Sequence, residues 1–476
     1  MSKKGKTVTN GSGNFISCIK TLIIAAVCLF ISASLTACSL DDAVDIAGEL
    51  ASDIGEGAQI AGREIEDIYE ELTDTTAKEG ATSPEQDGSS GHNSTSDLYE
   101  SIIESTATGD YPTSQMQEDL DDIGLSEDRI GDIKAEQEGY YYFDQLNSDQ
   151  QSLYAQILHI MSCQADDIYV STTDMDEVET VQQCVLNDHP EIFYIDGYVL
   201  KRYMDADTQE IKALTYGGNY TLSSDQISER EDELVEAADI IIEGMPDTSD
   251  EYEIVKYFYD YIVLNTQYKI GSEDNQNICS VLLNKESVCQ GYAKTLQYLL
   301  QKVGITCEMV SGTVDNGQTT STHAWDIVKI DGNWYYVDPT WGDSSFSGSV
   351  ASDTEVVNYA YLCVTTQELS ATHKINEIVQ MPVCTATKDN YFVKENALFD
   401  SIDTAKLSSL FTQAISDGSS SVTFKCTDAD TFNEMKTYLF ASDAGNVFNY
   451  LPAMSTRAVY LAQDATLTFI IWLQSP

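Results

Sequence analysis

From residue 291 to 303 the apolar side chains Ala293, Leu296, Leu299, Leu300 and Val303 recur at spacings of three and four. That period predicts an amphipathic helix, and Gly304 stands where a glycine would end it. Cys289 falls at or just before its first turn. Residues 305–310 read as a short strand. Residues 323–330 then alternate over two faces, Asp331-Gly332 is a two-residue hairpin signal, and residues 333–338 return as the partner strand, ended by Pro339. With that turn Ile330 pairs with Asn333, and Trp325 lies opposite Asp338. His323 and Asp338 become diagonal neighbours on one face, roughly 7–8 Å apart at Cα. A slip of one residue would put them on opposite faces.

The same reading predicts helices over 144–161, 177–186, 223–244 and 250–265, and strands over 193–203 and 211–220. The last part, 390–476, has a helix–strand–helix–strand pattern over 407–415, 421–426, 431–440 and 458–471, and is expected to form a small separate α/β unit. Residues 137–249 are expected to form an N-terminal α/β region and 250–389 the domain that carries the site.

Cys289, His323 and Asp338 are the parts of a cysteine nucleophile site. A thiol attacks as thiolate, which a helix N-terminus and an adjacent imidazolium both favour. The first-turn N–H groups lack helical partners and could also steady the oxyanion of a tetrahedral intermediate. Gly291 would let the backbone approach a substrate closely. Taken singly, a buried Cys is a small hydrophobe and a strand His a satisfied polar residue. Taken together, on one helix start and one hairpin face, they point to catalysis.

The blocks Val288-Cys-Gln-Gly-Tyr-Ala293, Gly304-Ile305, Val310-Ser-Gly312, Thr322-His-Ala-Trp325 and Val337-Asp-Pro-Thr-Trp-Gly-Asp343 resemble the transglutaminase-like superfamily, a branch of the papain-like cysteine enzymes. The resemblance implies an α+β core, with a Cys-bearing helix packed on an antiparallel sheet bearing His and Asp. It implies Cys289 as nucleophile, His323 as general base and acid, and Asp338 as the residue that orients His323. Tyr268 is the candidate second oxyanion donor. Trp341 and Asp343 are read first as packing and turn residues. Asp326 should point away from His323, and His189 and His373 are read as structural. No Cys/His spacing suggests a metal site, no calcium loop is visible, and no cofactor is implied.

The chain starts with Lys3, Lys4 and Lys6, followed by an apolar run over 21–35 and Leu35-Thr-Ala-Cys38. That pattern reads as a signal peptide over 1–37, and its end resembles a bacterial lipobox with lipid on Cys38. The protein would then be tethered to the extracytoplasmic face of a bacterial membrane. Residues 38–136 are acidic, with a Thr/Ser/Gly-rich stretch over 73–98, and are expected to be a largely flexible linker. The formal charge of −53 argues against a nucleic-acid partner. Of 11 cysteines, Cys18 and Cys28 would leave with the signal; the others, Cys38 and Cys289 aside, form no disulfide framework and are expected to be mostly buried thiols. Two functions follow. One is a lipid-anchored cysteine acyl-transfer enzyme acting on protein or peptide amides, including cell-wall peptide, through a thioester. The other is a surface lipoprotein that keeps the fold for binding without turnover.

Overall fold

The structure is a computed structural model describing residues 101–108, 113–315, 320–343, 356–441, 445–452, 455 and 457–473. The expected signal segment, Cys38 and the 73–98 stretch lie outside the described residues. Among the described residues no helix is long and apolar enough to cross a membrane.

The folded body begins earlier than composition suggests. Residues 101–136, assigned above to the linker, carry strand β1 (Ser101–Thr108) and helices α1 (Thr113–Asp122) and α2 (Glu127–Glu136). Leu125 and Ile133 bury themselves against Ala155, while the acidic residues of α2 are exposed. A thin apolar stripe in an acidic segment is enough to dock it.

Helices α3 (Tyr141–Gln145) and α4 (Ser148–Ser162) follow, then β2 (Ile168–Val170), α5 (Met175–Asp188), β3 (Ile195–Met204) and β4 (Ile211–Tyr220). The first sheet has order β1-β3-β4-β2, with β1 parallel to β3 and the other pairs antiparallel. An Asn147/Gln150 capping box starts α4, satisfying two N–H groups that the helix leaves without partners. Asp188 ties the region together: its carboxylate accepts from Tyr142 N, Phe143 N and the Tyr154 hydroxyl at 2.9–3.0 Å.

The chain continues through α6 (Ser224–Glu243), α7 (Glu251–Asn265), β5 (Gln267–Tyr268), β6 (Glu286–Ser287) and α8 (Cys289–Lys302). Then come β7 (Cys307–Asp315), β8 (Thr320–Ile330), β9 (Asn333–Val337), the single turn α9 (Pro339–Gly342) and β10 (His373–Ile375). The second sheet is antiparallel, in order β10-β7-β8-β9. Helix α8 packs across β7 and β8, giving the α+β core that the resemblance implies. One continuous apolar core runs from Tyr142 to Cys363. Residues 137–249 and the Cys289 helix therefore share an interior, and Gln297 of α8 donates to the Asn187 carbonyl at 2.6 Å.

The C-terminal unit has its own core, Phe392 to Leu473. It comprises β11 (Leu398–Phe399), α10 (Thr404–Ser416), β12 (Ser421–Cys426), α11 (Ala429–Phe440), β13 (Tyr460–Gln463) and β14 (Thr468–Trp472). The single strand expected over 458–471 is in fact a hairpin, β13 against β14. Its connection carries no Asn-Gly or Asp-Gly signal, and Leu467 takes the left-handed φ of 57° that sequence rules reserve for glycine or asparagine.

Candidate active site

Val288 is the N-cap of α8, is extended, and offers no side-chain cap. No capping hydroxyl or carboxylate therefore competes for the first-turn N–H groups beside Cys289. Cys289 is the first helical residue, 8% exposed, and packs with Ala293, Met309 and Ala324. Gly291 corrects an expectation. A methyl group there would overlap the Ser280 and Ser287 hydroxyls and come within 3.0 Å of the Asn275 carbonyl. The missing side chain makes room for this buried loop, not for substrate.

The hairpin forms in the predicted register, Ile330 with Asn333 and Asp326 with Val337. Asp331 and Gly332 both have positive φ, 49° and 81°, as a tight primed turn requires. The ladder stops at Val337. Asp338 leaves it to cap α9, its Oδ1 accepting from Trp341 N at 3.0 Å. That turn aims Oδ2 at His323, whose Nε2 lies 2.8 Å away. A carboxylate only accepts, so Nε2 carries the proton and Nδ1 is the nitrogen left for the thiol. Cys289 lies near enough to the same ring to act on it by charge. The three residues named from the sequence are thus brought together.

Burial alone would push the His323 imidazole down. The Asp338 carboxylate and Cys289 outweigh it, and the ring is raised to about 10. Burial likewise opposes charge on Asp338, yet His323 and His373 hold its carboxyl below the usual range. Asp326, on the other face of β8 as expected, has the opposite fate. It is fully buried, with the Cys307 thiol as its polar neighbour, and burial raises its carboxyl well above the usual range.

Tyr268 sits on β5, with its ring centroid 6.3 Å from that of Tyr292. Burial raises its phenol, with the Cys289 and Asp338 charges adding to the effect, so it stands within electrostatic reach of the site as a protonated donor. The Tyr292 hydroxyl lies 2.9 Å from Asp343 Oδ2 and 3.0 Å from the Thr266 carbonyl. Asp343 therefore ties the Cys289 helix to the segment that carries Asp338. Trp341 packs its indole edge-on or tilted against His323, Tyr361 and His373.

His189 bonds Glu191 and Gln137 at 2.7 and 2.8 Å, in keeping with a structural role. His373, read as structural, instead joins the site. Its Nε2 lies 3.0 Å from the same Asp338 Oδ2. Both histidine nitrogens stand at hydrogen-bond distance from one oxygen, the spacing of two N–H donors on a shared acceptor. Nothing in the local sequence could announce this, because only the β7–β10 pairing brings His373 there. The eight cysteines among the described residues are free, seven of them buried and Cys163 exposed.

Residues 241–339 match the family model of the transglutaminase-like superfamily. Two curated relatives align, both named Kyphoscoliosis peptidase. The one from Homo sapiens is 28% identical over 172 residues, covering 33% of this chain and 24% of that protein. The one from Mus musculus is 25% identical over 136 residues, covering 26% and 20%. The match thus spans a quarter or less of these relatives' lengths. Among solved structures, one described as a TGase aligns over 33% of this chain and 53% of its own, at 16% identity and a TM-score of 0.23. The periplasmic domain of TgpA from Pseudomonas aeruginosa aligns over 30% and 65%, at 15% identity and a TM-score of 0.20. The part of this chain that is similar to the transglutaminase-like superfamily is thus residues 241–339.

Proposed function

We propose that this protein is a cysteine acyl-transfer enzyme acting on peptide or protein amides through a thioester. The observation that carries the reading is the His323 imidazole held between the Asp338 carboxylate and Cys289 at the first turn of α8. An imidazole raised in this way favours the ion pair in which the sulfur is thiolate. Cys289 Sγ attacks the amide carbonyl carbon, and the oxyanion meets first-turn N–H groups and the Tyr268 phenol. The C–N bond then breaks, with His323 giving its proton to the leaving amine. Water or a primary amine attacks the thioester, His323 takes the proton of that nucleophile, and Cys289 leaves. Asp338 keeps the ring aligned throughout. The curated relatives are named as a peptidase, which favours water as the second nucleophile.

The proposal includes the address. Lipid on Cys38 would hold the enzyme at the extracytoplasmic face of a bacterial membrane, where envelope proteins and wall peptides are the available amides. A mature N-terminal peptide without lipid mass on Cys38 would remove the tether and leave the chemistry standing.

The chemistry is tested with glutamine-containing peptides, with and without a primary amine, read by mass spectrometry against Cys289→Ala. Cleavage or deamidation identifies a hydrolase, and amine incorporation identifies a transferase. No product, and no peptide–enzyme thioester, from a broad peptide library would favour a binding protein.

A further inference from the structure

We propose that His373 is a positioning residue of the site, a second N–H donor that fixes Asp338 and moderates its pull on His323. The inference rests on the acyl-transfer reading and adds a fourth member to the constellation.

The direction of each hydrogen bond follows from one fact: an ionised carboxylate has no proton to give. Asp338 Oδ2 therefore receives Nε2–H from His323 at 2.8 Å and from His373 at 3.0 Å. Burial keeps His373 neutral, and the neighbouring His323 charge works in the same direction. A neutral ring carries one N–H, so His373 Nδ1 accepts. Its partner there, the Thr372 hydroxyl at 2.8 Å, must donate. The Tyr361 hydroxyl, 3.3 Å from Thr372 Oγ1, supplies the next link. A directed chain thus runs from Tyr361 through Thr372 and His373 into the carboxylate, and all four residues are buried.

The fold is built to close this gap. His323 on β8 pairs with Gly312 on β7, which pairs on its other side with Ile375 of β10. A side chain on Gly312 would overlap the Lys374 carbonyl and lie 2.7 Å from the Trp325 ring. Without one, Trp325 and His373 come together at 4.9 Å, and His373 and His323 at 5.7 Å, between ring centroids. His373 bonds Thr372 and Asp338, so it acts through Asp338 and is not a second base.

The consequence is electrostatic. A carboxylate oxygen shared between two donors holds less charge for either one. Losing His373 leaves Oδ2 to His323 alone, and the imidazolium is then held more tightly. The titratable groups facing this cluster are Cys289 on α8, Tyr259 on α7, Tyr268 on β5, Asp326 on β8, and Tyr361. Burial raises the three phenols and the Asp326 carboxyl, so a pH profile near neutrality and above reports the Cys289–His323 pair.

The test is the rate of Cys289 alkylation by iodoacetamide against pH in the full chain. His373→Phe, which has no donor, should move the alkaline limb up by about one pH unit, the scale of a hydrogen bond to a charged group. His373→Gln, whose Nε2 can still donate, should restore the wild-type profile. Thr372→Val leaves the imidazole in place and removes only the donor behind it; a smaller shift in the same direction is expected, and it serves if His373→Phe does not fold. Profiles of His373→Phe and Thr372→Val that superpose on wild type, while His323→Ala is shifted, would overturn the positioning role alone. A His323→Ala profile that also superposes would instead overturn the acyl-transfer reading.

Discussion

At the scale of single residues, the same side-chain type meets opposite fates within one hairpin. Asp338 and Asp326 are both fully buried. Asp338 stays charged because two histidines and a backbone N–H meet it, whereas burial raises the Asp326 carboxyl well above the usual range. This sets the pH dependence of stability. His323 is raised from 6.5 to about 10 on folding, so its contribution is complete below about 6.5 and is lost as pH rises through about 10. Asp338 is lowered from 3.8, so its contribution is present above about 4 and is lost as pH falls further. The pair should therefore support the fold most between about pH 4 and 6.5, and urea midpoints should fall on either side of that window. Asp338→Ala strands two buried histidines and should lower the unfolding free energy by about 3–5 kcal/mol. In that variant the alkaline decline should flatten, and an unchanged decline would mean that His323 is not its source.

At the scale of elements, the Cys289 helix and the His323 hairpin were legible because both rest on local rules. A three-four apolar period marks the helix, and Asp331-Gly332 marks the turn that sets the register. That register brings Asp338 to the end of the hairpin near His323, and the α9 turn then aims its carboxylate at the ring. What the sequence hid was non-local. His373 lies far along the chain and reaches the site only through pairing of β10 with β7. The packing role of Gly291 is hidden for a related reason, since its neighbours Asn275, Ser280 and Ser287 come from the folded segment before α8. The acidic composition of residues 101–136 also concealed how little apolar surface is needed to dock α2 on α4. Gly291→Ala should cost about 1–3 kcal/mol through overpacking. Adding Ser280→Ala, which removes one of the two overlapping hydroxyls, should recover part of that loss in chemical denaturation. No recovery would place the strain elsewhere.

At the scale of the whole molecule, two features dominate. The C-terminal unit has its own core but is held to the rest by named contacts: Lys425 to Glu368 at 2.6 Å, Lys394 to Asp250 at 2.8 Å, and Tyr391 stacked on Tyr359 at 3.9 Å between centroids. The second feature is a formal charge of −53. Self-repulsion of that size destabilises the compact state and is screened by salt over a Debye length of about 10 Å at 0.1 M. Raising sodium chloride from about 0.01 to 0.15 M should therefore raise Tm, and a fall would show that ion pairs outweigh the repulsion.

The central claim of the proposed function is that His323, aligned by Asp338, serves Cys289 as base and acid. The most direct measurement is the rate of Cys289 alkylation by iodoacetamide across pH, comparing the intact protein with His323→Ala. The intact protein should react at about pH 6 at least tenfold faster than the variant. Two profiles lying on one another would contradict the account.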